Sequence, residues 1–69
     1  MAQEKWHVLP NDMDRWEIRR GNGDLVSHHE SRKMAEAIVK AYALEQGGGE
    51  LYVFHSREEW MQARRAGKV

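Results

Sequence analysis

Between Lys5 and Leu9 the chain alternates, with Trp6 and Val8 on one side and His7 and Leu9 on the other. Period two with a Trp and a Val predicts a half-buried strand. Pro10-Asn11-Asp12-Met13-Asp14 interrupts it, because proline lacks a ladder donor and Asn and Asp favour turns. In Arg15-Trp16-Glu17-Ile18-Arg19, charged residues alternate with Trp16 and Ile18, which gives a second strand one apolar and one charged face. Asn22-Gly23 is the favoured pair for a tight two-residue hairpin, since both positions tolerate positive φ. A third strand follows over about Leu25 to His28, and its pattern leaves open which of Leu25 and Val26 faces the core.

Ser31 has the character of a helix N-cap. Beyond it Met34, Ala37, Ile38, Ala41 and Leu44 or Glu45 recur at helical spacing, with Lys33, Glu36 and Lys40 opposite. Gly47-Gly48-Gly49 stops that helix, and Glu50 to His55 predicts a fourth strand with Leu51 and Val53 on one face, Tyr52 and Phe54 on the other. Ser56-Arg57-Glu58-Glu59 fits a capping box, so a short tail helix over 56–66 is expected, with Trp60, Met61 and Ala63 on its apolar side. The predicted fold class is α+β. A three-stranded antiparallel meander carries one amphipathic helix on one face, the fourth strand returns to the sheet, and a helical tail follows; a right-handed crossover would permit a parallel place beside the first strand, but the pattern leaves the strand order open. Trp6, Trp16, Ile18, Met34 and Ile38 are the expected core beneath the helix.

At 69 residues the chain has room for one domain, read as a flexible start over 1–4, a β-β-β-α-β core over 5–55, the tail helix and a frayed end over 67–69. So short a chain buries only about 60% of its unfolded surface, and with no cysteine it has no disulfide to supplement that core. Self-association is one remedy. Eleven basic residues balance eleven acidic ones, which argues against a general polyanion binder. The polar start lacks a signal peptide's apolar stretch, and no apolar run nears the ~20 residues of a membrane span. A cytoplasmic protein with no membrane partner is expected.

Four stretches resemble a family of short bacterial and phage-associated proteins, domain-of-unknown-function family 2188. They are Lys5-Trp6-His7-Val8-Leu9-Pro10, Trp16-Glu17-Ile18, Lys33-Met34-Ala35-Glu36-Ala37 and Gly48-Gly49-Glu50-Leu51-Tyr52-Val53-Phe54-His55. Their order covers most of Lys5 to Ser56. The resemblance implies the β-β-β-α-β order and carries no activity with it. The tail departs from it, since Glu58-Glu59-Trp60-Met61 stands where relatives often have a Gly-containing polar turn.

Four histidines, His7, His28, His29 and His55, raise the question of a metal. Adjacent His28 and His29 in a strand point to opposite faces, and zinc wants three or four convergent ligands, so no metal and no cofactor is expected. Asp12, Asp14, Glu58 and Glu59 are carboxylates without a cleft to separate their pKa values, and no nucleophile elbow or phosphate loop is present. The expectation is a non-enzymatic protein with no small-molecule substrate.

Alternation sends His7, Leu9, Arg15, Glu17, Arg19, Tyr52 and Phe54 to the face away from the helix, too apolar to be left wholly in water. Three coverings present themselves. The tail can fold back with Trp60 and Met61; a protein partner or second copy can dock on Tyr52, Phe54, Trp60 and Met61 with Arg15 and Arg19 at the rim; or single-stranded nucleic acid can stack on Tyr52 and Phe54 with Arg15 and Arg19 on phosphate. Glu17 and the zero net charge count against nucleic acid. The functional expectation is therefore an interaction module that binds protein or self-associates through the sheet face and tail, with an accessory nucleic-acid-binding protein as the alternative.

Overall fold

The computed structural model describes residues 4–69. The expected flexible start over 1–4 lies outside the described residues except for Glu4, which opens the first strand. In chain order the elements are β1 (Glu4–Pro10), β2 (Trp16–Arg20), β3 (Leu25–His29), α1 (Arg32–Glu45), β4 (Gly49–Val53) and α2 (Arg57–Arg65). They form one four-stranded sheet in the order β3-β2-β1-β4, with α1 on one face and α2 on the other. The expected α+β architecture is the one observed. β1–β2 and β2–β3 pair antiparallel, while β4 returns parallel to β1, as a crossover through a helix permits.

The β1–β2 turn is organised by Asn11, whose Oδ1 accepts from the Met13 and Arg15 amides at 2.8 and 3.1 Å. The β2–β3 hairpin differs from the two-residue loop expected. Arg20 N–H bonds Asp24 O at 2.9 Å and Gly23 N–H bonds Arg20 O at 2.8 Å, so Gly21, Asn22 and Gly23 form a three-residue loop. Gly23 takes φ 97, the left-handed position such loops reserve for glycine. One register slip follows: Ser27 opposes Ile18 but Leu25 opposes Arg19, leaving Val26 as the extra residue of a bulge. The bulge answers the question the alternation left open, for Val26 packs into the core and Leu25 is exposed.

Helix α1 starts as expected, with Ser31 Oγ accepting from Met34 N at 3.1 Å. It ends in a Schellman motif, Gly48 N–H to Ala43 O at 2.7 Å and Gly47 N–H to Leu44 O at 3.1 Å. Its buried stripe is rotated by about one residue from the one predicted. Ala35 and Val39 are buried and Ile38, Tyr42 and Ala43 pack partly, whereas Met34 and Leu44 stay exposed at 47% and 79%. Two overlapping apolar stripes exist in this helix, and the one holding Val39 and Tyr42 buries the larger side chains against Trp6, whose ring lies 5.9 Å from that of Tyr42. The rest of the predicted core stands: Trp6, Val8 and Ile18 are buried and Trp16 packs beside them.

Helix α2 forms where the capping box predicts, Ser56 Oγ accepting from Glu59 N at 3.0 Å. Residues 67–69, expected to fray, instead close the helix through Gly67 N–H to Arg64 O and Lys68 N–H to Ala63 O, at 3.1 and 3.0 Å. Val69 then packs against a second core of Leu9, Phe54 and Trp60.

Candidate functional site

The far sheet face carries His7 and Leu9 from β1, Glu17 and Arg19 from β2, and Tyr52 and Phe54 from β4 and just beyond it. Helix α2 lies across it. Trp60 enters at its centre, 5% exposed, and donates its indole N–H to His7 Nδ1 at 2.7 Å. Tyr52, Phe54 and Trp60 surround the imidazole edge-on at 5.7, 5.6 and 6.3 Å. An indole nitrogen can only donate, so His7 Nδ1 must be the acceptor and the neutral ring carries its proton on Nε2. That Nε2 is buried without a partner among the described residues. Burial, reinforced by the Arg64 and Lys5 charges, pushes the His7 pKa below its ordinary 6.5.

The indole is ringed by cations. The guanidiniums of Arg19, Arg64 and Arg57 lie 5.1, 5.0 and 5.8 Å from its centroid. Glu17, buried in the same layer, accepts from Arg19 Nε at 2.9 Å and has Arg57 at 3.7 Å. Arg19 also bonds Gly23 O at 2.8 Å and Arg64 bonds Asn22 O at 3.3 Å, tying α2 to the β2–β3 loop. The charges that alternation sends to the face away from α1 are thus an internal pair beneath a helix.

Phe54 and Trp60, expected as anchors for a partner, are therefore taken up by the chain's own fold, at 6% and 5% exposure. The self-covering alternative accounts for them. Arg19 is held by Glu17. Tyr52 is half-buried, and its hydroxyl donates to Glu50 Oε2 at 2.6 Å, a bond that raises the phenol pKa. Arg15 is turned toward the β3 edge, its Nε bonding His28 Nδ1 at 2.6 Å and its Nη2 reaching His28 O at 3.4 Å. Met61 remains 42% exposed on the outer side of α2. Among the described residues no three His, Asp or Glu side chains gather as a metal site would need.

The opposite side of the sheet holds a feature the alternation did not reveal. Where α1 leaves the sheet, an open groove of about 440 Å³ runs between the helix and β4. Val39, Ala43 and Leu44 form one wall, Gly49 and Leu51 the other, and the Trp6 ring the floor. Among the described residues Lys40 is its one charged lining residue. Leu44 and Leu51 stand at the mouth, exposed by 79% and 37%. A Cβ on Gly49 would lie 3.2 Å from Trp6 Cδ1 and Nε1, so the glycine backbone sits directly on the indole, whose buried N–H has no partner among the described residues. The signal for this groove was Leu44 itself, which the rotation of α1 moves from the sheet to the open side.

Among the described residues no helix is long and apolar enough to cross a membrane. No curated protein and no solved structure matches this chain. The four stretches that suggested a family and the fold that joins them agree with a match over residues 6–66, by which the chain belongs to DUF2188, a family of uncharacterized proteins conserved in bacteria.

Proposed function

We propose that this domain is a non-enzymatic protein-interaction module that associates with copies of itself, through the groove between α1 and β4 rather than the far sheet face. The observation that carries this reading is Leu44 and Leu51 standing exposed together at the mouth of one open apolar groove, whereas the other exposed apolar side chains, Met13, Leu25, Met34 and Met61, do not line it. A groove for a small polar substrate would bring several polar groups together, and these walls offer a lysine and one shielded indole. The stacking platform of the nucleic-acid alternative, Tyr52 with Phe54 and Arg19, lies under α2 or on Glu17, which favours protein over nucleic acid as the partner.

The test is sedimentation equilibrium over a concentration series with the wild-type chain and Leu44→Glu. Leu44 makes little contribution to the fold at 79% exposure, so the variant should melt at the wild-type temperature. Wild type should associate and the variant should not. A wild-type chain that stays monomeric up to millimolar concentration removes the reading.

A further inference from the structure

Resting on that self-associating reading, we infer that the contact is an antiparallel pairing of β4 with β4 of a second copy, joining two four-stranded sheets edge to edge. The two edges of the sheet are not equivalent. β3 is interrupted by the Val26 bulge, and the Arg15 guanidinium occupies its His28 carbonyl. Both are devices that discourage strand addition. β4 has neither: it pairs with β1 in unbroken register over five residues, contains no proline and carries one charge, Glu50.

The hydrogen-bonding direction of β4 follows from its inner ladder. Phe54 N–H reaches Val8 O at 2.9 Å, so residue 54 points its backbone at β1. Backbone direction alternates along a strand, hence Tyr52 and Glu50 also face β1, and Gly49, Leu51 and Val53 turn both N–H and C=O outward. A two-fold axis through Leu51 sets Leu51 opposite Leu51 of the second copy and Gly49 opposite its Val53. All three outward residues then fall in positions where directly opposed residues exchange both bonds. No other centre on this strand satisfies all three.

The side chains suit the same axis. On the α1 side, the two Leu51 side chains meet at the centre and the two grooves with their Leu44 walls become neighbours. On the far side Glu50 stands opposite Tyr52 of the second copy, the same donor and acceptor that already bond within one chain at 2.6 Å. The association is isologous and closed, so it stops at two copies.

Because the chain contains no cysteine, one introduced thiol per copy tests the axis directly. Opposed residues of this type have Cα atoms about 5.5 Å apart, within the range a disulfide spans. Leu51→Cys should convert to a covalent dimer under mild oxidant at concentrations where Met13→Cys, at an 80% exposed site in the β1–β2 turn, stays monomeric. Leu51→Pro removes an outward N–H and the leucine side chain at the axis, leaves the β1–β4 ladder bonds in place, and should abolish dimer in sedimentation. If it fails to fold, as its melting would show, the cysteine pair decides alone. A wild type that dimerises while Leu51→Cys crosslinks no faster than Met13→Cys overturns the edge pairing and leaves self-association standing. A wild type that never dimerises overturns both.

Discussion

Replacing Trp60 by alanine asks whether α2 is part of the fold or an appendage. Truncating a buried Trp costs about 3–5 kcal/mol, and leaving the His7 acceptor without its donor adds about 1–3 kcal/mol. For a chain of 69 residues the whole stability is about 3.5–10 kcal/mol at the usual per-residue value. The loss has a ceiling, however. Helix α2 has nine residues, fewer than the ~12–15 an isolated helix needs, so without its indole anchor it undocks instead of preserving a cavity. The cost then cannot exceed the free energy with which α2 docks, and Leu9 and Phe54 become exposed. We expect a loss of about 3 kcal/mol, which lowers Tm by about 12–24 °C in a domain of this size. Urea unfolding followed by far-ultraviolet circular dichroism measures it, with reduced helical signal before the main transition. A loss under about 0.5 kcal/mol with full helical signal would refute the reasoning, since that is the range of surface substitutions. Unchanged stability with lost association would make α2 an interface element instead.

Two other outcomes follow from the same geometry. His7 is neutral in the fold with its pKa depressed, first by burial and then by Arg64 and Lys5, so the unfolded chain binds the proton more readily. Its contribution to stability is full above the ordinary value of 6.5 and is lost as pH falls through the lower folded value; a urea midpoint no lower at about pH 5.5 than at about pH 7.5 would contradict this. Gly49→Ala would set a methyl 2.5 Å from Glu4 O and 3.2 Å from the Trp6 ring, separating β1 from β4 at their first pair. It should destabilise by about 1–3 kcal/mol, as overpacking does, and an unchanged melting temperature would show that this approach can relax.

Much of this architecture was legible because period two is unambiguous where Trp and Ile alternate with charge, as in Trp16-Glu17-Ile18-Arg19. The capping box at Ser56 announced α2 as plainly as Ser31 announced α1. What the alternation could not convey was the bulge, since one extra residue at Val26 changes facing without changing composition. Nor could it choose between two overlapping stripes on α1, a choice made by the volume of Val39 and Tyr42 against Trp6. Alternation correctly put His7 and Glu17 away from α1, yet whether that face meets water depends on a helix whose anchoring Trp60 lies 53 residues beyond His7. The hint that it does not was the apolar character of Leu9, Tyr52 and Phe54, which called for a covering without saying which of tail, partner or nucleic acid supplies it. Leu44 and Leu51 escaped notice because an apolar residue in an apolar stripe looks buried until the stripe's edge is located.

The central position of β1 has a consequence for assembly. Its antiparallel neighbour arrives after one short turn, but its parallel neighbour is available only once all of α1 has been laid down. The meander is built from local contacts, whereas the β1–β4 seam closes a loop spanning most of the chain, so on loop-closure grounds we expect it to form late. Until it does, Trp6 and Val8 sit on an unfinished border. The element that begins the domain is thus the last to be sealed on both sides.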